Sequence, residues 1–262
     1  MENNIESFLG MEVNQNVILN LYPTTKFLFV ICVTLGSFFS DTYLYGYILA
    51  AVLVLISIVA GKFKEFLPAL IKLFLVFVLF ILLLRGVFHD SQEVLFSIGF
   101  LKFKTQGIIE GLKMTSIIIS FAGSLLLFFK VTSIGDFMIA LEKLGLSSMA
   151  TYVVLSTFQT IPDLKERSNT IMASQKARGI ETEGNIFIRM KAFVPIIGPL
   201  LLSAIADTEE KAIALESRAF TSEVKRTNLV EVEDSGKDKI LRIFIIVITV
   251  LFILRRIVLW ML

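Results

Sequence analysis

The sequence predicts an all-α, polytopic membrane protein, with about five transmembrane helices and a helical unit on the cytoplasmic side. Three observations lead there. The chain has 262 residues, of which 55% are hydrophobic and 24 are phenylalanine, and its mean hydropathy is +0.80. A soluble domain of this length needs more polar surface than that to cover its core. The charges are also segregated, with 13 of the 25 Lys/Arg and 15 of the 23 Asp/Glu in segment 131–239. Finally, the charge-poor flanks hold apolar runs of the length a membrane requires. The hydrocarbon layer is about 30 Å thick, so a helix rising ~1.5 Å per residue needs about 20 residues to cross it. Backbone polar groups find no water there, which leaves helices and closed barrels as the viable forms.

Four candidate spans precede the charged segment. The first covers 17–40, with Tyr22-Pro23-Thr24-Thr25-Lys26 near its start and FLFVICVTLGSFF after it. The second, 43–60, reads YLYGYILAAVLVLISIVA and carries no charge. The third is 66–88, FLPALIKLFLVFVLFILLLRGVF, with Pro68 suited to a first helical turn, where a backbone N–H has no partner to lose. The fourth is 107–129, leading into SFAGSLLLFFK. A fifth follows at 240–262, ILRIFIIVITVLFILRRIVLWML. The expected organisation is thus a membrane region over 1–130, cytoplasmic helices over 131–239 and a last transmembrane helix over 240–262.

Basic residues in short loops set the orientation. Lys62 and Lys64 lie between the second and third spans, while the connection around Asp41-Thr42 has no base. This places the N-terminus and 131–239 in the cytoplasm and the C-terminus outside. Lys102, Lys104, Arg255 and Arg256 run against that bias. The opening stretch MENNIESFLGMEVNQN is acidic and lacks a basic region, so insertion is expected through the first span rather than a cleaved signal.

Two stretches in the middle are free of charge, 144–162 and 192–206. Neither is expected to cross. The first is diluted by serines, threonines and Gln159, and the second carries Pro195 and Pro199. If both crossed, Lys165, Arg167, Lys176, Arg178, Arg189 and Lys191 would lie outside, against the positive-inside bias. Helices with apolar faces along the membrane boundary or on a membrane partner fit better. Their punctuation is legible. Thr132 or Ser133 caps GDFMIALEKL and Gly145 ends it. Ser147 or Ser148 starts a helix that Pro162 interrupts or re-aims. DLKERSNTIMASQKAR then runs to Gly179. Asn185 caps a longer pattern that passes Pro195 and Pro199 and ends in ALESRAF.

Several function classes are excluded. A net charge of +2 does not suit a nucleic-acid binder. The lone Cys32 sits in an apolar run and reads as packing. The two Gly-Lys pairs, Gly61-Lys62 and Gly236-Lys237, have Ile56 and Glu231 where a phosphate-binding loop needs its earlier glycine, and neither is followed by Ser or Thr. His89, beside Asp90, is the single histidine and reads as a polar loop residue, so no His-based metal cluster exists. No serine stands in a G-x-S-x-G elbow. No catalytic, cofactor-binding or metal residue is assigned, and the chain is expected not to be an enzyme. The charges within or beside the spans, Lys72, Arg85, Glu110 and Lys113, could instead belong to a self-contained permease or channel. Glu110 and Lys113 are spaced to pair on one helix face, and Lys72 and Arg85 to snorkel.

Together these residues resemble the transmembrane T component of energy-coupling factor transporters, over most of the chain. Tyr22-Pro23-Thr24-Thr25-Lys26 is similar to the family's opening motif, in which Asp-Pro precedes Thr-Lys; here Tyr22 replaces the Asp. DFMIALEKLGL at 136–146 resembles its connecting segment. One Ala-Arg-Gly signature stands intact as Ala177-Arg178-Gly179. The second stands as Ser217-Arg218-Ala219, keeping the arginine and followed by Phe220.

The resemblance implies a subunit that couples energy without an engine of its own, in a multi-pass complex of the plasma membrane importing a vitamin or metal ion. Two ABC-type ATPase subunits would dock on the cytoplasmic coupling unit, each gripping one of Arg178 and Arg218, and they rather than this chain would bind ATP. A substrate-binding membrane protein, the S component, would lie on the same unit's apolar helices. The physical case for each arginine is the guanidinium, which makes paired hydrogen bonds to a carboxylate and stays charged. The bland alternative is a cation complementing a helix C-terminus, worth about 0.3–1 kcal/mol when exposed. Ala219 fits a left-handed cap poorly, so the second helix is expected to continue or turn differently from the first.

Overall fold

A computed structural model of the chain describes residues 16, 18–40, 42–88, 94–98, 101–180, 185–220, 222 and 234–261. Among them are eight helices: α1 (Pro23–Phe38), α2 (Tyr43–Val59), α3 (Phe63–Phe88), α4 (Thr105–Val131), α5 (Ile134–Lys143), α6 (Ser148–Ala177), α7 (Ile186–Ser217) and α8 (Gly236–Met261). The all-α membrane class holds. One addition to it is a short antiparallel hairpin between α3 and α4, β1 (Val94–Ile98) with β2 (Leu101–Lys104), paired from Val94↔Lys104 to Ile98↔Leu101. The chain divides into two compact units, Met1–Leu144 with Val232–Leu262, and Gly145–Glu231. Helix α5, which the sequence grouped with 131–239, belongs to the first of these, where it packs on α1.

Helix α4 is the spine of the first unit and packs on α1, α2 and α3. Its composition explains why. Gly107, Gly111, Thr115, Ser116, Ser120, Gly123 and Ser124 are all buried, and small residues at this spacing let helix backbones approach closely in lipid, with hydroxyls bonding across the seam. At Gly46 of α2 an added Cβ would stand 2.6 Å from the Ser116 carbonyl oxygen and 2.8 Å from Ser120 Oγ. Ser120 Oγ donates to the Gly46 carbonyl at 3.1 Å, and Tyr47 OH lies 2.7 Å from Thr115 Oγ1. An apolar cluster of Leu53, Phe66, Leu70, Ile119, Leu127 and Val131 fills the space between α2, α3 and α4.

Helix α1 opens with Pro23 in its first turn, and Tyr22 supplies no side-chain cap. Asp238 of α8 does so instead: it is buried and accepts from the Tyr22 backbone N–H at 3.2 Å. Lys26 Nζ donates to the carbonyls of Leu19 at 2.8 Å and Val131 at 3.1 Å. Val131 is the last residue of α4, where carbonyls lack helical partners, and a cation is well placed there.

Three described helices are long and apolar enough to cross a membrane: Phe63–Phe88, Thr105–Val131 and, within α7, Met190–Ser217. Helices α1 and α2 are shorter, at 16 and 17 residues. Two details correct the sequence reading. Helix α3 starts at Phe63, so Pro68 lies inside it rather than in its first turn. Pro162 does not interrupt its helix, and α6 is continuous for 30 residues. Helix α7 is capable of spanning by length and composition alone. Both helices pass their prolines because each proline removes only one backbone donor, at a cost the rest of a long helix absorbs. Threonine hydroxyls engage nearby carbonyls ahead of Pro162, Thr157 with Val153 at 2.7 Å and Thr160 with Ser156 at 2.7 Å.

Candidate functional site: two arginine-ended helices

The second unit is built on α6 and α7. Ser147 caps the first, its Oγ accepting from the Ala150 N–H at 3.2 Å, and Asn185 caps the second, Oδ1 accepting from the Ile186 N–H at 2.7 Å. Three contacts align them. Arg167 meets Asp207 at 2.7 Å, Lys211 Nζ donates to Thr160 Oγ1 at 3.3 Å, and the rings of Tyr152 and Phe220 stack obliquely with centroids 5.0 Å apart. The partners run in opposite order along the two helices, so the helices are antiparallel. Arg218 therefore lies at the Tyr152 end of α6, and Arg178 at the other end. The two arginines each follow a partner of the Arg167–Asp207 contact by eleven residues in opposite directions, which separates them by roughly 33 Å along the helices at ~1.5 Å per residue.

Both helices end by the same device. Arg178 is the C-cap of α6 and Arg218 the C-cap of α7. Beyond Arg178, Gly179 N–H donates to the Lys176 carbonyl at 3.0 Å and Ile180 N–H to that of Gln175 at 3.1 Å. Beyond Arg218, Ala219 N–H donates to Glu216 at 2.9 Å and Phe220 N–H to Leu215 at 2.9 Å. This pair of bonds is the Schellman closure, which requires a left-handed residue after the cap. Gly179 meets the requirement at φ +87°. Ala219 meets it at φ +55°, and it is the one positive-φ residue other than glycine among those described. The expectation that Ala219 would make the second helix turn differently is thus overturned. The left-handed conformation costs an alanine about 1–2 kcal/mol, and the two closing bonds, with Phe220 held on Tyr152, hold it there.

All six residues, Ala177, Arg178, Gly179, Ser217, Arg218 and Ala219, are exposed. An added Cβ at Gly179 would meet nothing within 4 Å. Both arginines are exposed, and each stands at a closed turn. A flat bidentate donor in such a setting is suited to a carboxylate brought by another molecule.

The rival set of charged residues is arranged differently. Arg85 and Glu110, from α3 and α4, pair at 3.5 Å, so Glu110 reaches across to a neighbouring helix, where the sequence pointed to Lys113 on its own. Lys72 is exposed on α3 and Lys113 is half-buried on α4. Of these four, spread over two helices, only Arg85 and Glu110 are brought into contact among the described residues. His89 lies outside those residues.

The fold and this pair of helix ends define a class: a helical membrane protein with two exposed arginines on matching helix closures. A sequence model of the family described as cobalt transport protein, CbiQ, matches residues 14–229. Proteins named energy-coupling factor transporter transmembrane protein EcfT are similar over nearly the whole length. That of Bacillus subtilis strain 168 is 30% identical, covering 92% of this chain and 94% of the relative. That of Lactococcus lactis subsp. cremoris strain MG1363 is 27% identical, covering 91% and 93%. That of Staphylococcus aureus strain 04-02981 is 28% identical, covering 90% and 92%. The chain belongs to this family, the transmembrane T components of energy-coupling factor transporters. It is a membrane component of such a transporter.

Proposed function

We propose that this chain couples two ABC-type ATPase subunits to a substrate-binding membrane protein, for import of a micronutrient such as a vitamin or metal ion. Arg178 and Arg218 are the two docking contacts, one for each ATPase, with Ala177, Gly179, Ser217 and Ala219 shaping the tips. The observation that carries this is the shared closure: two helices of unrelated sequence place an exposed arginine on the same turn, one of them at a conformational cost. A dipole-complementing cation needs neither the matched turn nor the strain. The ATPases bind the ATP, and this chain holds no cofactor.

The tips and the N-terminus face the cytoplasm of a cell-membrane protein, in keeping with Lys62 and Lys64. The charge-free part of α7, 192–206, is shorter than the bilayer needs: its 15 residues extend about 22 Å against about 30 Å of hydrocarbon. Along it Phe193, Val194, Ile197, Leu201 and Ile205, with Met190 just before it, are exposed at the three- and four-residue spacing of a single helix face. That stripe, with Met149, Val153 and Ile161 of α6, is the surface offered to the substrate-binding protein.

Losing one partner of a buried charged contact costs about 2–5 kcal/mol, so Arg178→Glu and Arg218→Glu should each release an ATPase on purification of the complex. Undiminished ATPase recovery and transport in both variants refutes the docking role. The permease alternative is tested by the chain alone in liposomes, where solute flux without any ATPase favours it.

A further inference from the structure

We propose that Arg167 and Asp207 form a clamp that fixes the spacing and relative angle of the two arginine tips, so that α6 and α7 answer the two ATPases as one body. This rests on the docking reading above. Arg167 Nη1 lies 2.7 Å from Asp207 Oδ2, and Ser203 Oγ accepts from the same guanidinium. The position of the pair is what carries the inference. Arg178 follows Arg167 by eleven residues, and Arg218 follows Asp207 by eleven. Eleven residues are close to three turns at ~3.6 residues each, about 16 Å along the axis. In each helix, then, the tip rises over the face that holds the pair, and the two arms are equally long.

The pair also lies on the tip side of the last proline in each helix, Pro162 in α6 and Pro199 in α7. A proline leaves a carbonyl one turn earlier without its donor and is where a helix bends most easily. The segments beyond the prolines are unbroken helix up to the caps, and the ion pair ties them at their roots. A cleft of about 640 Å³ opens beside the pair, lined by Asp163, Thr170 and Pro199 among others. The two arms are therefore not packed shut at this level, and the charged bridge spans ground that apolar contact does not fill. Arg167 and Asp207 are positioning residues: they touch neither ATPase, and they act through Arg178 and Arg218.

The test uses the full-length chain with Cys32 replaced by Ser and spin labels on Ala173→Cys and Ala212→Cys, two exposed alanines beyond the pair. Pulsed electron-spin distances should be narrow in this parent, broad in Arg167→Ala and Asp207→Ala, and narrow again in Arg167→Asp/Asp207→Arg and in Arg167→Lys. In the assembled complex the alanine variants should keep both ATPases and hydrolyse ATP, while uptake per ATP falls about tenfold, within the usual range of a coupling free energy. Unchanged distances in the alanine variants overturn the clamp, whatever the ATPases do. A reversed pair that stays broad also overturns it, since charge pairing would then not set the spacing. Loss of ATPases from Arg178 or Arg218 variants bears on docking alone and leaves these distances as a separate readout.

Discussion

Tyr22 and Asp238 are 216 residues apart in sequence, yet the backbone amide of one donates to the carboxylate of the other at 3.2 Å. The contact closes the start of α1, and it lies where the family's opening motif carries an aspartate and this chain carries Tyr22. Arg242 stands over the same tyrosine ring, 5.4 Å from its centroid. A carboxylate supplied by α8 thus satisfies the Tyr22 amide at the start of α1 and binds the last helix to the first.

Asp238→Ala leaves a buried helix start without its acceptor, a loss of about 1–3 kcal/mol. It should lower the melting temperature of the purified protein, and Asp238→Asn should do so less. Tyr22→Asp in the Asp238→Ala background should recover part of the loss, while Tyr22→Asp alone should destabilise by placing two carboxylates together. A melt for Asp238→Ala equal to that of the parent counts against the cap.

Ala219 holds a left-handed conformation that glycine adopts freely. Ala219→Gly should raise stability by about 1 kcal/mol, which for a chain of this size is a melting shift of about 2–4 °C. Gly179→Ala should move it the other way by a similar amount. If Ala219→Gly leaves the melt unchanged or lowers it, the turn is not under strain.

At Gly46 a side chain has nowhere to go. Gly46→Val drives carbons into Ser116 and Ser120 of α4 and should cost about 3 kcal/mol or more. Gly198→Ala on α7, where an added Cβ meets nothing within 4 Å, should be neutral or slightly stabilising. Comparing folded yield by size-exclusion chromatography separates the two, and equal yields would contradict the close packing of α2 on α4.

A single drive needs both tips on one membrane face. Cysteines at Ala177 and Ser217 in a Cys32→Ser background should react with an impermeant maleimide in inverted vesicles and stay silent in intact cells. Reaction of one from each side would mean that α7 crosses the bilayer, and the coupling reading would fall.

Much of the fold was legible because bilayer and helix impose simple periods. The apolar runs that became α3 and α4 announced themselves by length, and Asn185 by cap chemistry, since both signals are local, while the structure chose Ser133 over Thr132 and Ser147 over Ser148. The hairpin at 94–104 was missed, although two short β-prone runs separated by two residues, one of them Gly99, were there to be read. Pro162 misled because the rule that proline breaks helices describes a cost, and a helix of 30 residues can meet it. At Ala219, propensity was outweighed by two backbone bonds and a ring contact.

By itself the sequence determined the solvent, the helical class and the two arginines, because composition, spacing and capping are properties of neighbouring residues. Only the tertiary structure could decide that Asp238 caps α1, that Ala219 turns as Gly179 does, and that Arg167 meets Asp207 midway to both tips. Those depend on which surfaces meet across long stretches of chain, and the energy of such a meeting is shared among residues that no local pattern connects.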